Sequence, residues 1–324
     1  MVVPPIAMPC VPVAMIAIVL LVCMIPTRVP RTNPWFQINC RATAWPLGAL
    51  SVLGCVGLVG CAPPASIAAF SGAAATALEE GSPLFTDIHD SCVRRHVVST
   101  SAAPSFLPGT STPGELAACA EFASEAQGLA KVSGVVTAYF RTVQQLASFN
   151  GSNVSTVSET AAENAAAAAK WDASQIDSAG KLSSLVVRAV TDRYQTRRLA
   201  LYFREAQPHA AVTLQALQDV LGKDYAGLLR EEQQTLKSRY QRVSYGQNPA
   251  VLLLLDHSYL QDIDQLNRRR QAAVAYVQAL HEIDEGQTYL ARAISKANAT
   301  ELTKTLDLYT SQIETLRPII QKGL

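Results

Sequence analysis

The sequence has few of the residues that build most catalytic centres. It contains five His in 324 residues, and aromatic residues make up 6% of it. A Gly-rich phosphate loop and a Gly-x-Ser-x-Gly nucleophile motif are both absent from the sequence. His281 begins a stretch like the zinc-protease motif H-E-x-x-H, but Glu285 occupies the position of the second His. No reaction is indicated, and we expect a non-enzymatic protein without a cofactor.

Neither sign of charge dominates the sequence. It carries 27 Lys and Arg against 26 Asp and Glu, a formal net charge of +1. Short basic clusters occur at residues 94–95, 197–198 and 268–270, far apart along the chain. Proteins that bind nucleic acid concentrate basic residues on one face. The clusters are therefore predicted to be solvated helix faces, and no nucleic-acid partner is expected.

Two apolar segments occupy the start of the chain. Residues 13–25 form the first, which is short for a membrane span, and residues 42–60 form the second, which carries no charge. Arg28, Arg31 and Arg41 precede the second segment. A positive region, an apolar run and small residues at its end are the parts of a secretory signal. One explanation for the double arrangement is that translation begins at Met24, and a genuine N-terminal membrane segment is the alternative.

The second segment ends in Leu58-Val59-Gly60-Cys61, which resembles the lipobox of bacterial lipoprotein signal peptides. The resemblance implies a cleaved leader over residues 1–60 and acyl chains such as palmitate on Cys61, which becomes the first residue. Ala62 rather than Asp follows the Cys, which by the same resemblance implies transfer to the outer membrane, facing the periplasm. A retained transmembrane helix over residues 42–60 is the alternative, although its Pro and Gly residues would weaken it.

The rest of the chain has the composition and periodicity of helices. Residues 61–66 contain two Pro and are predicted to be an extended tether. Plentiful Ala, Leu and Gln with few aromatics favour helices over sheets. Residues 182–190 show amphipathic helical spacing, and heptad-like runs begin at Tyr276 and Leu302. Each run is under three heptads, so packing inside one bundle is favoured over a coiled-coil partner.

We therefore predict an all-α fold. Residues 67–324 are expected to form a single domain, an elongated antiparallel bundle of about five to seven helices. Capping-box spacing at residues 156–159 and 298–301, and a cap with a first-turn Pro at Asn248-Pro249, predict three helix starts. Pro208 predicts a kink or a new helix start. The Ala run at residues 165–169 predicts a helix that packs closely or lies at the periphery.

Two Cys remain once the leader is removed and Cys61 is lipidated. Cys92 and Cys119 flank a Ser- and Pro-rich loop predicted at residues 99–113. An even pair in a secreted chain indicates a disulfide, and antiparallel packing of the flanking helices would bring the two residues together. Zinc held by His89, Cys92 and His96 on one helix face is the alternative. Three ligands on a single helix reach a tetrahedral ion poorly, so the disulfide is favoured.

Three functional hypotheses follow from these features. The first is a lipid-anchored scaffold or interaction protein, whose partners are the membrane, through the N-terminal lipid, and another envelope protein. The second is a binding module for an apolar small molecule, held in a cavity of the bundle lined by Leu and Tyr. The third is an enzyme whose site is assembled from separate helices. A cluster of ionisable groups in a cleft would favour the enzyme, and an exposed apolar patch would favour the interaction protein.

Overall fold

The computed structural model describes residues 64–100, 117–148, 156, 158–191, 199–294 and 298–323. The predicted leader, the lipobox and Cys61 lie outside these residues, as does most of the predicted loop at residues 99–113. All regular structure in the described residues is helical, which confirms the predicted all-α bundle. The helices are α1 Pro64–Gly81, α2 Pro83–Thr100, α3 Ala120–Ser148, α4 Glu159–Ala168, α5 Ala173–Thr191, α6 Leu199–Asp219, α7 Ala226–Ser244, α8 Pro249–Ala293 and α9 Ala299–Lys322.

Several of these helices follow one another with almost no break. Only Ser82 separates α1 from α2, and a π-helical turn, Val220–Tyr225, joins α6 to α7. Taken as continuous rods, the helices of the described residues number seven. The π turn was not predicted, because an i to i+5 hydrogen-bonding pattern has no periodicity of its own in a stretch this short.

The longest helix, α8, sets the direction of the bundle. Its 45 residues span about 67 Å at the α-helical rise. Helix α1 runs antiparallel to it, since an added Cβ on Gly286 would meet the ring of Phe70, whereas one on Gly81 would meet the ring of Tyr276. The chain therefore enters the bundle, at Pro64, beside the C-terminal part of α8.

The heptad-like runs lie on the faces of α8 and α9 that pack into the core. Tyr276, Leu280, Ile283 and Leu290 are buried on α8, and five residues of the second run, Leu302, Leu306, Ile313, Leu316 and Ile320, are buried on α9. Both sets belong to one hydrophobic core that reaches every α-helix of the described residues. The prediction that these runs pack inside one bundle is confirmed.

Helix α4 lies very close to α3 because Gly and Ala residues face each other. A Cβ added to Gly128 would stand 2.4 Å from the carbonyl oxygen of Ala165. This confirms close packing for the Ala run. Its N-cap is Ser158, whose hydroxyl accepts a hydrogen bond from the amide of Ala161, so the predicted capping box that began at Thr156 was placed two residues early.

Other local predictions meet mixed outcomes. Asn248 caps α8 by accepting from the Val251 amide at 3.0 Å, and Asn298 caps α9, both as predicted. The helix α1 already includes Pro64 to Ser66, so those three residues are not extended, because Pro suits the first turn of a helix. Pro208 lies inside α6 and starts no new helix. None of the helices among the described residues has the length and apolar character that crossing a membrane requires.

Candidate interaction site

The structure brings the two predicted disulfide partners together. Cys92 lies on α2, Cys119 lies in the turn before α3, and their Cα atoms are 5.8 Å apart with the sulfurs bonded. Both side chains are buried. A Cα separation below about 7 Å is the condition for such a bridge, and the predicted pairing meets it.

The metal alternative changes its composition in the structure. Ligand atoms of Cys92, His96 and Cys119 lie within 4.8 Å of one another. His89 is not in this group, and its Nδ1 lies 3.2 Å from Asp90 Oδ1. The predicted zinc ligands His89, Cys92 and His96 were therefore wrong in one member. Cys119, which is distant in sequence, stands in the place that was predicted for His89. A sulfur in a disulfide is not a thiolate ligand, so the bonded form of this pair holds no metal.

A buried ion cluster joins α2, α7 and α8. Glu232, with 3% of its side chain exposed, accepts hydrogen bonds from Arg94 Nε and Arg269 Nη2, both at 2.8 Å. Ser91 Oγ donates to the same carboxylate at 2.8 Å. Burial raises the pKa of Glu232, but the hydrogen bonds and charges of the two Arg outweigh it and hold this pKa below its ordinary value. The carboxylate is therefore ionised in the fold at neutral pH.

A second carboxylate completes the cluster on its α2 side. Asp87 accepts from Arg94 Nη2 at 2.7 Å, from Arg269 Nη1 at 3.2 Å and from the Tyr225 hydroxyl at 2.5 Å. Arg94 and Arg269 were predicted to be solvated, yet only 13% of the Arg269 side chain is exposed. That prediction was wrong for Arg269 because three helices converge on it. Removing a charge from such a site leaves others unpaired, so the loss of any one member is expected to destabilise the contact between these helices.

Beyond the ion cluster, α7 and α8 continue together as a helical hairpin, residues 236–266. Leu236 and Leu266 form a small hydrophobic cluster of their own with Tyr240. The Tyr240 ring packs edge-on against the Tyr259 ring, with the ring centroids 5.1 Å apart. The Tyr240 hydroxyl donates a hydrogen bond to Asp262 at 2.9 Å. The hairpin thus has an internal core that is separate from the main core of the bundle.

The end of this hairpin is apolar and exposed. Of the ten large apolar residues that are exposed among the described residues, six lie between residues 243 and 260. We call these six the hairpin tip: Val243, Tyr245, Leu252, Leu253, Leu254 and Leu260. Tyr245 is 91% exposed, Leu253 72% and Leu254 69%. Scattered exposed apolar residues are ordinary, whereas a concentrated patch marks a contact surface.

A collar of basic side chains stands just behind the tip. Lys237, Arg239 and Arg242 lie on the last turns of α7, and no acidic residue occurs between Glu232 and Asp256. Within the described residues none of these three basic groups forms a salt bridge with a carboxylate; Arg239 lies over the Tyr240 ring at 5.9 Å. Asp256, Asp262 and Asp264 on the facing part of α8 equal these three basic groups in number, so the hairpin combines an apolar cap with balanced charge.

Two open grooves on the surface are alternative sites. One of about 680 Å³ lies between α8 and α9, and another of about 470 Å³ lies beside Asp87 and Arg269. Val274 and Ile319 line the first together with Arg268, Arg270 and Lys322. Both grooves open to the surface, so neither is the Leu- and Tyr-lined internal cavity of the small-molecule hypothesis. That hypothesis stays a prediction.

Comparisons with protein families, curated proteins and solved structures found no match. The assignment of a site therefore depends on the geometry above. Sequence reasoning used Asn248-Pro249 to place a helix start but drew nothing from the four Leu at residues 252–255 that follow. Four consecutive Leu place apolar side chains on every side of a helix, so they lack the spacing of an amphipathic helix. A run of this kind at a helix start could have indicated an exposed apolar surface from the sequence alone.

Proposed function

We propose that this chain is a lipid-anchored, non-enzymatic interaction protein of a bacterial envelope. The anchor is acylated Cys61, the protein stands on the periplasmic side of the outer membrane, and the helical bundle is a spacer that presents the hairpin tip. The observation that carries the proposal is Leu58-Val59-Gly60-Cys61 at the end of an uncharged apolar run. Several acyl chains, at about 0.8 kcal/mol per buried CH₂, hold a protein on a membrane without a span.

The arrangement of the bundle supports this division of roles. Cys61 precedes the first described helix by three residues, and that helix begins beside the C-terminal part of α8. The hairpin tip is at the N-terminal end of α8. An anchor at one end of α8 leaves a contact surface at its other end free, as an interaction protein requires.

The test is the N-terminus of the protein recovered from envelopes. Mass spectrometry is expected to find an acylated N-terminal peptide at Cys61 and none from residues 1–60. Cys61→Ser should block processing, whereas Cys55→Ser, a matched change in the leader six residues earlier, should leave processing and acylation intact. Recovery of the mature protein with residues 42–60 still attached would refute the anchor and favour the retained transmembrane helix.

A further inference from the structure

Three metal-ligating side chains from two segments of the chain meet at the start of α3. Cys92 and His96 are four residues apart on α2, so they lie on one face of that helix, one turn apart. Ligands of a metal ion use this spacing on a helix, as the two His of H-E-x-x-H do. Cys119 approaches from the turn before α3. The difficulty of reaching one ion from a single helix does not apply to this set.

The spacing of the ligand atoms is close to that of a zinc site. Around a tetrahedral zinc ion, with Zn–S near 2.3 Å and Zn–N near 2.0 Å, the ligand atoms stand about 3.5–3.8 Å apart. The sulfurs of Cys92 and Cys119 and a ring nitrogen of His96 lie within 4.8 Å of one another. The Cα atoms of the two Cys are 5.8 Å apart, so their sulfurs can reach the separation that zinc requires by side-chain rotation.

The burial and the chemistry of the ligands indicate which ion fits. The two Cys are buried, and His96 is half-buried. Two thiolates balance the charge of a divalent cation, so the loaded site brings no net charge into the interior. Thiolate and imidazole suit zinc, whereas magnesium and calcium take oxygen ligands. Three protein ligands leave a fourth position for water, which distinguishes this site from a closed structural site with four protein ligands.

We propose that the thiol form of Cys92 and Cys119, together with His96, is a zinc site. Zinc and the disulfide exclude each other, because both use the same two sulfurs. When an external disulfide oxidises the loaded site, the two Cys thiolates give up two electrons and form the Cys92–Cys119 bond. The external disulfide becomes two thiolates, and the zinc ion leaves. In the reverse direction a dithiol supplies the two electrons, and the freed Cys thiolates bind zinc again.

Each form of the site connects α2 to the segment before α3. The oxidised form does so by a covalent bond, and the reduced form does so through the ion. The zinc site does not depend on the lipid anchor, because none of its three residues belongs to the leader or the tether. Failure of the anchor experiment would therefore leave this inference standing, and the reverse also holds.

Metal titration of the full chain in its two redox states tests the proposal. One portion of the purified protein is kept oxidised, and the other is reduced with a phosphine, which is then removed under argon. Co²⁺ is the probe, since thiolate ligands give it a charge-transfer absorption band in the near ultraviolet and Zn²⁺ displaces it. We expect the reduced protein to bind one Co²⁺ per chain and to lose the band when Zn²⁺ is added. The oxidised protein should show no band, because a disulfide offers no thiolate.

Variants assign the metal to its ligands. His96→Ala should weaken Co²⁺ binding by about tenfold or more, since loss of even an indirect partner of a metal costs about that much, yet it should still form the disulfide. His89→Ala is the matched control, because His89 is on the same helix but outside the ligand group, and it should bind Co²⁺ like the unaltered chain.

Three results would overturn the proposal. The first is equal Co²⁺ affinity of His96→Ala and His89→Ala, and the second is equal Co²⁺ binding by the oxidised and reduced protein. The third is unfolding of the reduced protein, measured by circular dichroism, that added Zn²⁺ does not reverse, because metal binding to a preformed site stabilises the folded chain.

Discussion

At the scale of single residues, burial of polar groups distinguishes two kinds of carboxylate in this bundle. Glu232 is nearly inaccessible but has two Arg partners, whereas Oδ1 of Asp284 on α8 is buried without a hydrogen-bond partner. Burial, followed by repulsion from Glu285, raises the pKa of Asp284 to about 6 despite the opposing effect of His281. Pairing therefore decides whether a carboxylate inside this fold stabilises it or weakens it.

Asp284 gives a prediction about stability and pH. Its folded pKa of about 6 exceeds the ordinary value of 3.8, so its contribution to stability is full below about pH 4 and is lost as the pH rises through 6. Asp284→Asn should therefore raise the free energy of unfolding by about 1–3 kcal/mol at pH 7.5 and have little effect at pH 4. Chemical denaturation at both pH values measures this. Glu282→Gln, on the same helix, is the control, and an equal gain at both pH values would contradict the mechanism.

At the scale of helices, close approach depends on where Gly stands. Gly128 faces the backbone of α4, and an added Cβ would lie 2.4 Å from Ala165 O and 2.9 Å from Ala169 N. Backbone atoms cannot swing aside as the end of a flexible side chain can. Gly134 is also on α3, but no atom lies within 4 Å of its added Cβ. Gly is therefore needed for close packing at residue 128, whereas at residue 134, about two turns later, the packing does not require it.

This contrast predicts opposite signs for one substitution. Gly128→Ala should destabilise the protein by about 1–3 kcal/mol, because the two helices must separate. Gly134→Ala should stabilise it by about 0.5–1 kcal/mol, because Ala is the better helix former and nothing obstructs it. Thermal or urea unfolding of both variants provides the measurement. If both substitutions were stabilising, the packing of α4 on α3 would be looser than described.

At the scale of the whole molecule, the Cys92–Cys119 pair links α2 to the segment that leads into α3. The two residues are 27 apart in sequence, so the bond mainly restricts the unfolded chain. In the chain-entropy account a closed segment of this size is worth about 3–4 kcal/mol. The segment that the disulfide closes is residues 92–119. The residues of the main core and of the small hydrophobic cluster in the hairpin lie outside it.

Reduction should therefore lower the melting temperature of the native protein, and non-reducing digestion should yield one linked peptide that contains both Cys. The double variant Cys92→Ser, Cys119→Ser should melt at the lower temperature with or without reductant, which separates loss of the bond from side effects of the reagent. Free labelling of both thiols by a maleimide in the native protein would contradict the disulfide. The group of Cys92, His96 and Cys119 would then be tested with zinc.

Short-range patterns in the sequence determined much of the fold. The caps at Asn248 and Asn298 were predictable because a cap is a local contact within three residues. The buried faces of α8 and α9 were predictable because the heptad-like spacing repeats along one helix. The close approach of Cys92 to Cys119 was predictable because two helices joined by a loop tend to pack together.

Only the tertiary structure decided which of the remaining side chains are covered. The Arg at 269 has the same local sequence pattern as its exposed neighbours, but α2 and α7 meet on its side of α8 and bury it with Glu232. The apolar run at residues 250–255 has the composition of a core segment, yet none of its residues is buried or belongs to the main core of the described residues. Burial depends on contacts between segments far apart in the chain. A local pattern fixes which face of a helix is apolar but not what, if anything, packs against it.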